Sequence, residues 1–162
     1  MKLNPDIIIL QIGTNNIMDN IPFETTIQNF ISLLDYIFKN INSNTILFVA
    51  TIPYMNPNTE IVYSWFKNYR YSNDGKIHYE DKEVKDMVYN NVMKFNNEIK
   101  RVIDDYKNKN YKVRLENLNS VIKDLDNLLF DGVHPNDKGY KLIGDFWTKI
   151  IENYLKEIKN NI

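Results

Sequence analysis

Two short, unbroken apolar runs constrain this chain most. Residues Asp6 to Gln11 read Asp-Ile-Ile-Ile-Leu-Gln, and Thr45 to Ala50 read Thr-Ile-Leu-Phe-Val-Ala. Runs of this length, bounded by Pro5 and Gly13 in the first case and by Pro53 in the second, suit strands buried on both faces. Between them, Ile27, Phe30, Ile31, Leu34, Ile37, Phe38 and Ile41 recur at helical spacing after Pro22, a residue tolerated in a first turn. Helical spacing returns at Val84, Val88, Val92, Phe95, Ile99, Val102, Ile103 and Tyr106. A third strand, Tyr111 to Glu116, alternates Val113 and Leu115 with charged residues, as a partly solvated or edge strand does. A last helix opens at Asn136, with Asp137 in its first turn and Tyr140, Ile143, Trp147, Ile150, Ile151, Tyr154 and Ile158 on its apolar face.

Strand, helix, strand, loop, helix, strand, helix is the order of an α/β domain with a parallel sheet between helical layers. The segment from Tyr54 to about Asp81 has no clear period and is rich in aromatics: Tyr54, Tyr63, Trp65, Phe66, Tyr69, Tyr71 and Tyr79. It reads as a lid or binding insertion. Trp65 and Tyr69 are the residues expected to contact a sugar there, the competing reading being a small core under a loop. Phe30, Phe38, Phe95 and Trp147 lie on helical apolar stripes and are expected in the core.

A formal net charge of -1 offers no phosphate-tracking surface, so no nucleic-acid partner is expected. No apolar run is long enough to span a bilayer, so no membrane partner is expected either. The chain has no cysteine, which removes disulfides and thiolate metal sites, and it leaves the compartment undetermined. His78 has no carboxylates at metal-ligand spacing and reads as a surface residue.

In open α/β sheets, ligands sit beyond the carboxyl ends of the strands. Two loops fall there. In Asp131-Gly132-Val133-His134-Pro135, an imidazole could serve as general base, and an Asp three residues earlier could fix its tautomer and stabilise its charged form. Pro135 holds His134 out of the helix that follows. Taken alone, the string is equally well a helix-entry turn. In Gly13-Thr14-Asn15-Asn16, the Asn15 amide could donate to a developing oxyanion, although glycine and asparagine also make ordinary turns.

Together, and in this order, the two loops resemble the third and fifth blocks of the SGNH (GDSL-type) ester hydrolases, G-x-N-D and D-x-x-H. The flanking Pro5-Asp6-Ile7-Ile8-Ile9-Leu10, Thr51-Ile52-Pro53 and Pro135-Asn136-Asp137-Lys138-Gly139-Tyr140 are similar to the family too. Asn16 departs from it, since the family usually carries Asp there.

The resemblance implies a three-layer α/β/α, flavodoxin-like fold and a Ser-His-Asp mechanism without metal or cofactor. His134 would be general base and then general acid, Asp131 its orienting partner, and Asn15 an oxyanion donor, with Gly13 lining the substrate site. The substrate would be a small-molecule or polysaccharide acyl ester, an acetylated carbohydrate foremost. The alternatives are a non-catalytic carbohydrate-binding relative and an inactive truncated product.

The family's Gly-Asp-Ser block, which follows its first strand and supplies the nucleophile, has no counterpart here. Ser32, Ser43, Ser64, Ser72 and Ser120 fall outside any strand-to-helix elbow. Residues 1–162 are therefore expected to form one partial domain lacking the first strand or strands, nearly inactive alone. The strand at residues 6–11 would be the third in a 2-1-3-4-5 order, and its open edge is expected to favour association.

Overall fold

A computed structural model describes residues 4–19, 21–68 and 81–160. Its strands β1 (Ile7–Leu10), β2 (Ile46–Ala50) and β3 (Val113–Glu116) form a parallel sheet in the order β1-β2-β3. Ile7 pairs with Ile46 and Leu10 with Val49, while Leu47 pairs with Val113 and Ala50 with Glu116. β2 is central and all its residues are buried, as its unbroken apolar sequence requires. β3 is paired on one side among the described residues, in keeping with its alternating pattern.

The helices are α1 (Thr14–Met18), α2 (Phe23–Asn40), α3 (Glu60–Asn68), α4 (Asp81–Asn108), α5 (Leu125–Leu128) and α6 (Asp137–Asn160). On one face of the sheet, Leu47 and Val49 join Phe30 and Leu34 of α2, Val62 and Phe66 of α3, and Val88, Phe95, Ile99 and Ile103 of α4 in one core. The Tyr106 hydroxyl ties α4 to α2 by donating to Asp35 Oδ1 at 2.5 Å. Burial, and then that carboxylate, raise the Tyr106 pKa. On the opposite face, Phe48 meets Trp147 and Tyr154 of α6 edge-on, with ring centroids 6.4 and 5.5 Å away. The result is the expected three-layer arrangement.

That second face is covered unevenly. Ile9 is in register with Phe48 and so points to the same side, yet it is 43% exposed while Phe48 is fully buried. Helix α6 lies over β2 and β3, where Glu157 meets Arg114. Phe30 and Phe95 are buried, as expected of core aromatics, while Phe38 and Trp147 are half-buried.

The segment after Tyr54 differs from its reading as an irregular insertion. Residues Glu60–Asn68 are helical, and Val62 and Phe66, four apart, drop into the main core. A run in which nearly every second residue is apolar or aromatic hides a four-residue stripe. Trp65 packs partly buried against the same core. Tyr69, Tyr71, Ser72, His78 and Tyr79 lie outside the described residues.

Candidate active site

The Asp131–His134 loop is the tip of a tight return between α5 and α6. Leu129 and Pro135 form an antiparallel bridge, the Phe130 N–H donates to the His134 carbonyl at 2.7 Å, and the Asn136 N–H donates to the Leu128 carbonyl at 2.9 Å. Asn136 then caps α6 by accepting from the Gly139 N–H at 3.1 Å, satisfying a first-turn donor that would otherwise lack a partner. Gly132 turns the loop at φ 91°. A Cβ built there would stand 2.2 Å from Thr59 Oγ1, so glycine is needed both for the backbone angle and for the close approach.

Within this loop Asp131 acts as a hub. Its Oδ1 accepts from the backbone N–H groups of Val133 at 2.9 Å and His134 at 2.8 Å, and its Oδ2 lies 2.8 Å from His134 Nδ1. Partial burial pushes the Asp131 pKa up, but the hydrogen bonds from His134 and Val133 outweigh it and hold the carboxyl down at about 2. An ionised Asp131 accepts only, which assigns the proton to Nδ1 of a neutral imidazole and leaves Nε2 as an acceptor. The His134 side chain is 70% exposed and that of Asp131 18%. The pair therefore presents a solvent-facing base backed by a sheltered carboxylate, an arrangement suited to proton transfer at a bound substrate.

His134 lines a depression of about 620 Å³ together with Asn127, Phe130, Pro135, Asn136, Asp137 and Lys138. Phe130 is 82% exposed. The sequence reading passed over this residue. The available signal was an aromatic directly before Asp131, at the entry to the loop that carries the Asp-His pair.

The loop after β2 seats the Asp-His return on the sheet. Asn56, only 3% exposed, donates its backbone N–H to the Gly132 carbonyl at 2.8 Å and its side-chain amide to Asp126 at 2.7 Å. The sequence reading also missed this tie, because Asn56-Pro57-Asn58 looks like an ordinary turn.

Gly13 and Asn15 stand beyond the carboxyl end of β1, the strand parallel to β2. Both loops thus leave the same rim of the sheet. Gly13 has φ 119°, and a Cβ there would lie 2.2 Å from Phe95 Cε1. This close contact accounts for the glycine without reference to substrate. Asn15 lies in the first turn of the short helix α1; it is exposed, and its side-chain amide has no hydrogen-bond partner among the described residues. Trp65 does not line the His134 depression. Among the described residues no cluster of three or more His, Cys, Asp or Glu could hold a metal, and no helix is long and apolar enough to cross a membrane.

A parallel α/β sheet with an Asp-His pair and a glycine-asparagine turn on one carboxyl rim defines a hydrolase-like domain. The chain belongs to the GDSL-like lipase/acylhydrolase family, whose model matches residues 2–147 and so takes in both loops. A multidomain esterase of Ruminococcus flavefaciens is 37% identical over 155 residues, which are 96% of this chain and 16% of that protein. In structure the chain is similar to the Clostridium thermocellum family 3 carbohydrate esterase, with a TM-score of 0.62 and 23% identity. That match covers 95% of this chain and 59% of the solved one. The chain therefore spans less than two thirds of either relative.

Proposed function

We propose that this chain carries the acid–base side of an acyl-ester hydrolase centre that acts on acylated carbohydrate, foremost by deacetylation. The observation that carries the reading is the 2.8 Å contact between His134 Nδ1 and an Asp131 carboxylate whose other oxygen accepts from two backbone N–H groups. In this reading a serine hydroxyl adds to the ester carbonyl while His134 Nε2 takes its proton. Asp131 balances the imidazolium, and the free Asn15 amide donates to the oxyanion. His134 then protonates the departing alcohol, and water repeats the cycle on the acyl-enzyme. The esterase names of both relatives support the reaction class, and the carbohydrate esterase supports the substrate class.

The serine is the open part. Among the described residues Ser32, Ser43, Ser64 and Ser120 lie on α2, after α2, on α3 and after β3, and none bonds the His134 ring. The expected result is that this chain alone hydrolyses 4-nitrophenyl acetate at the buffer rate. Joined to a strand and loop that supply a Gly-Asp-Ser nucleophile, it should gain turnover of an acetylated oligosaccharide that His134→Ala removes. Turnover unaffected by His134→Ala, or none in the joined chain, would refute the reading.

Association through β1 belongs to the same proposal. The outer edge of β1 is unpaired among the described residues, and Ile9 and Ile12 beside it are 43% and 38% exposed. Such an edge favours pairing with a further strand. Light scattering that finds a monodisperse monomer at high concentration would count against it.

A further inference from the structure

A second depression, of about 490 Å³, opens beyond the carboxyl ends of β2 and β3 and shares no lining residue with the one at His134. Its volume lies within the roughly 300–1,000 Å³ of small-molecule sites. We propose that this groove is a binding subsite for an unmodified sugar unit of a neutral glycan, formed by Tyr54, which is backed by the stacked ring of Tyr89, and by the side chains of Asn97 and Asn117. The choice of a glycan rests on the carbohydrate reading above; the groove itself does not.

The walls are rigid. Asn96 clamps Ile52 from both sides, accepting from its N–H at 2.9 Å and donating to its carbonyl at 2.9 Å. Asn119 accepts from the Tyr54 N–H at 2.8 Å and donates to the Ile52 carbonyl at 2.9 Å. Side chains spent in this way fix the backbone and leave little ordering cost for a ligand.

The groups left over are of the kind a sugar needs. Asn97 is exposed and makes no hydrogen bond among the described residues. Asn117 uses its Oδ1 to accept from Thr51 and from the Asn119 N–H, while its NH₂ remains without a partner among the described residues. Neutral amides of this kind match the alternating donors and acceptors of hydroxyl groups.

The apolar side is equally specific. Tyr54 stacks on Tyr89 with centroids 4.6 Å apart and planes within 6°. The hydrogen bond between them, followed by burial, raises the Tyr54 pKa to about 12, so the Tyr54 ring stays uncharged at neutral pH. Tyr89 is 51% exposed and Met93, one helical turn on, is 38% exposed. Helix α4 thus presents an aromatic and a thioether to solvent beside free amides, on a stripe the core does not use. An apolar platform next to uncharged hydrogen-bonding groups suits the flat face and polar rim of a pyranose. Lys100, the cation on this wall, is already paired with Asp104 at 2.7 Å, which argues against an anionic ligand.

Titration of the full chain with xylotetraose, cellotetraose and mannotetraose, followed by amide NMR, tests the proposal. At least one should shift the Asn97 and Asn117 side-chain amides at millimolar concentration. Asn97→Asp with Asn117→Asp keeps the Asn117 acceptor and removes both donor amides. It should weaken binding about tenfold with the unfolding midpoint retained. Tyr89→Ala should do the same, while His134→Ala should leave affinity within about twofold. Shifts centred on Phe130 and His134, indifferent to the Asn pair, would overturn the subsite and leave the ester-hydrolase reading standing. No binding by any of the three sugars would also overturn it. Groove binding in a chain that gains no activity when extended would refute the hydrolase reading alone.

Discussion

Replacing Gly13 by alanine should strain the rim in two separable ways. The backbone there has φ 119°, a region that costs an L-residue about 1–3 kcal/mol. The new methyl would also sit 2.2 and 2.3 Å from Phe95 Cε1 and Cζ, on a ring that is 1% exposed and locked in the core. Overpacking of that kind costs about 1–3 kcal/mol. The sum, roughly 2–6 kcal/mol, is a large share of the stability of an ordinary domain. For a chain of this size each kcal/mol lowers Tm by about 2–4 °C. Phe95→Leu removes the ring atoms nearest the methyl but leaves the backbone angle unchanged. The double variant should therefore be more stable than the sum of the single losses by about 1–2 kcal/mol. Urea unfolding of the four proteins measures this coupling. A Gly13→Ala chain within 0.5 kcal/mol of the parent, or strictly additive losses, would refute the steric argument.

The remaining predictions concern the Asp-His return and the clamp on Ile52. Because the Asp131 pKa is held down at about 2, against about 3.9 for a free Asp, its linked stability is present above about pH 4 and fades as pH falls through 2. Screening at the rim limits this to under about 2 kcal/mol. Asp131→Asn should flatten that limb in urea titrations from pH 6 downward, and carboxyl NMR should place the Asp131 midpoint well below those of exposed carboxylates. Asn96→Ala should cost about 1–3 kcal/mol, since it strands the Ile52 N–H next to a fully buried side chain and leaves the Ile52 carbonyl with the Asn119 amide alone. Asn96→Asp should recover part of that loss, and equal unfolding midpoints for the two variants would count against the clamp.

Much of the layering was legible because β1, β2 and the helices α2, α4 and α6 each bury a face with its own period. Leu47, Val49, Phe30 and Phe95 fall where their spacing puts them. Helix α3 was not legible: its Ile61, Trp65 and Tyr63 blur the stripe that Val62 and Phe66 define. The Asp131–His134 contact was readable because both residues share one short loop. Asn56 and Asn96 were not, because each acts on backbone groups far along the chain, and no local pattern records a side chain's distant partner. Gly13 was expected to line the substrate site; its contact with Phe95 gives it a packing reason that spacing could not reveal. Phe130 drew no attention because exposure of a single aromatic has no periodicity.

Apart from the tie of the Asn56 N–H to the Gly132 carbonyl, the bonds that shape Asp131 and His134 join residues within a few positions of one another, from Leu128 to Asn136. Closing so short a loop takes little chain entropy, so this return should persist through partial unfolding. Asn15, by contrast, is held in place by β1, whose outer edge and Ile9 side are the least covered part of the sheet. Heat or mild denaturant should therefore loosen the Asn15 side of the rim first, leaving the Asp131–His134 pair intact beside an unravelled partner loop.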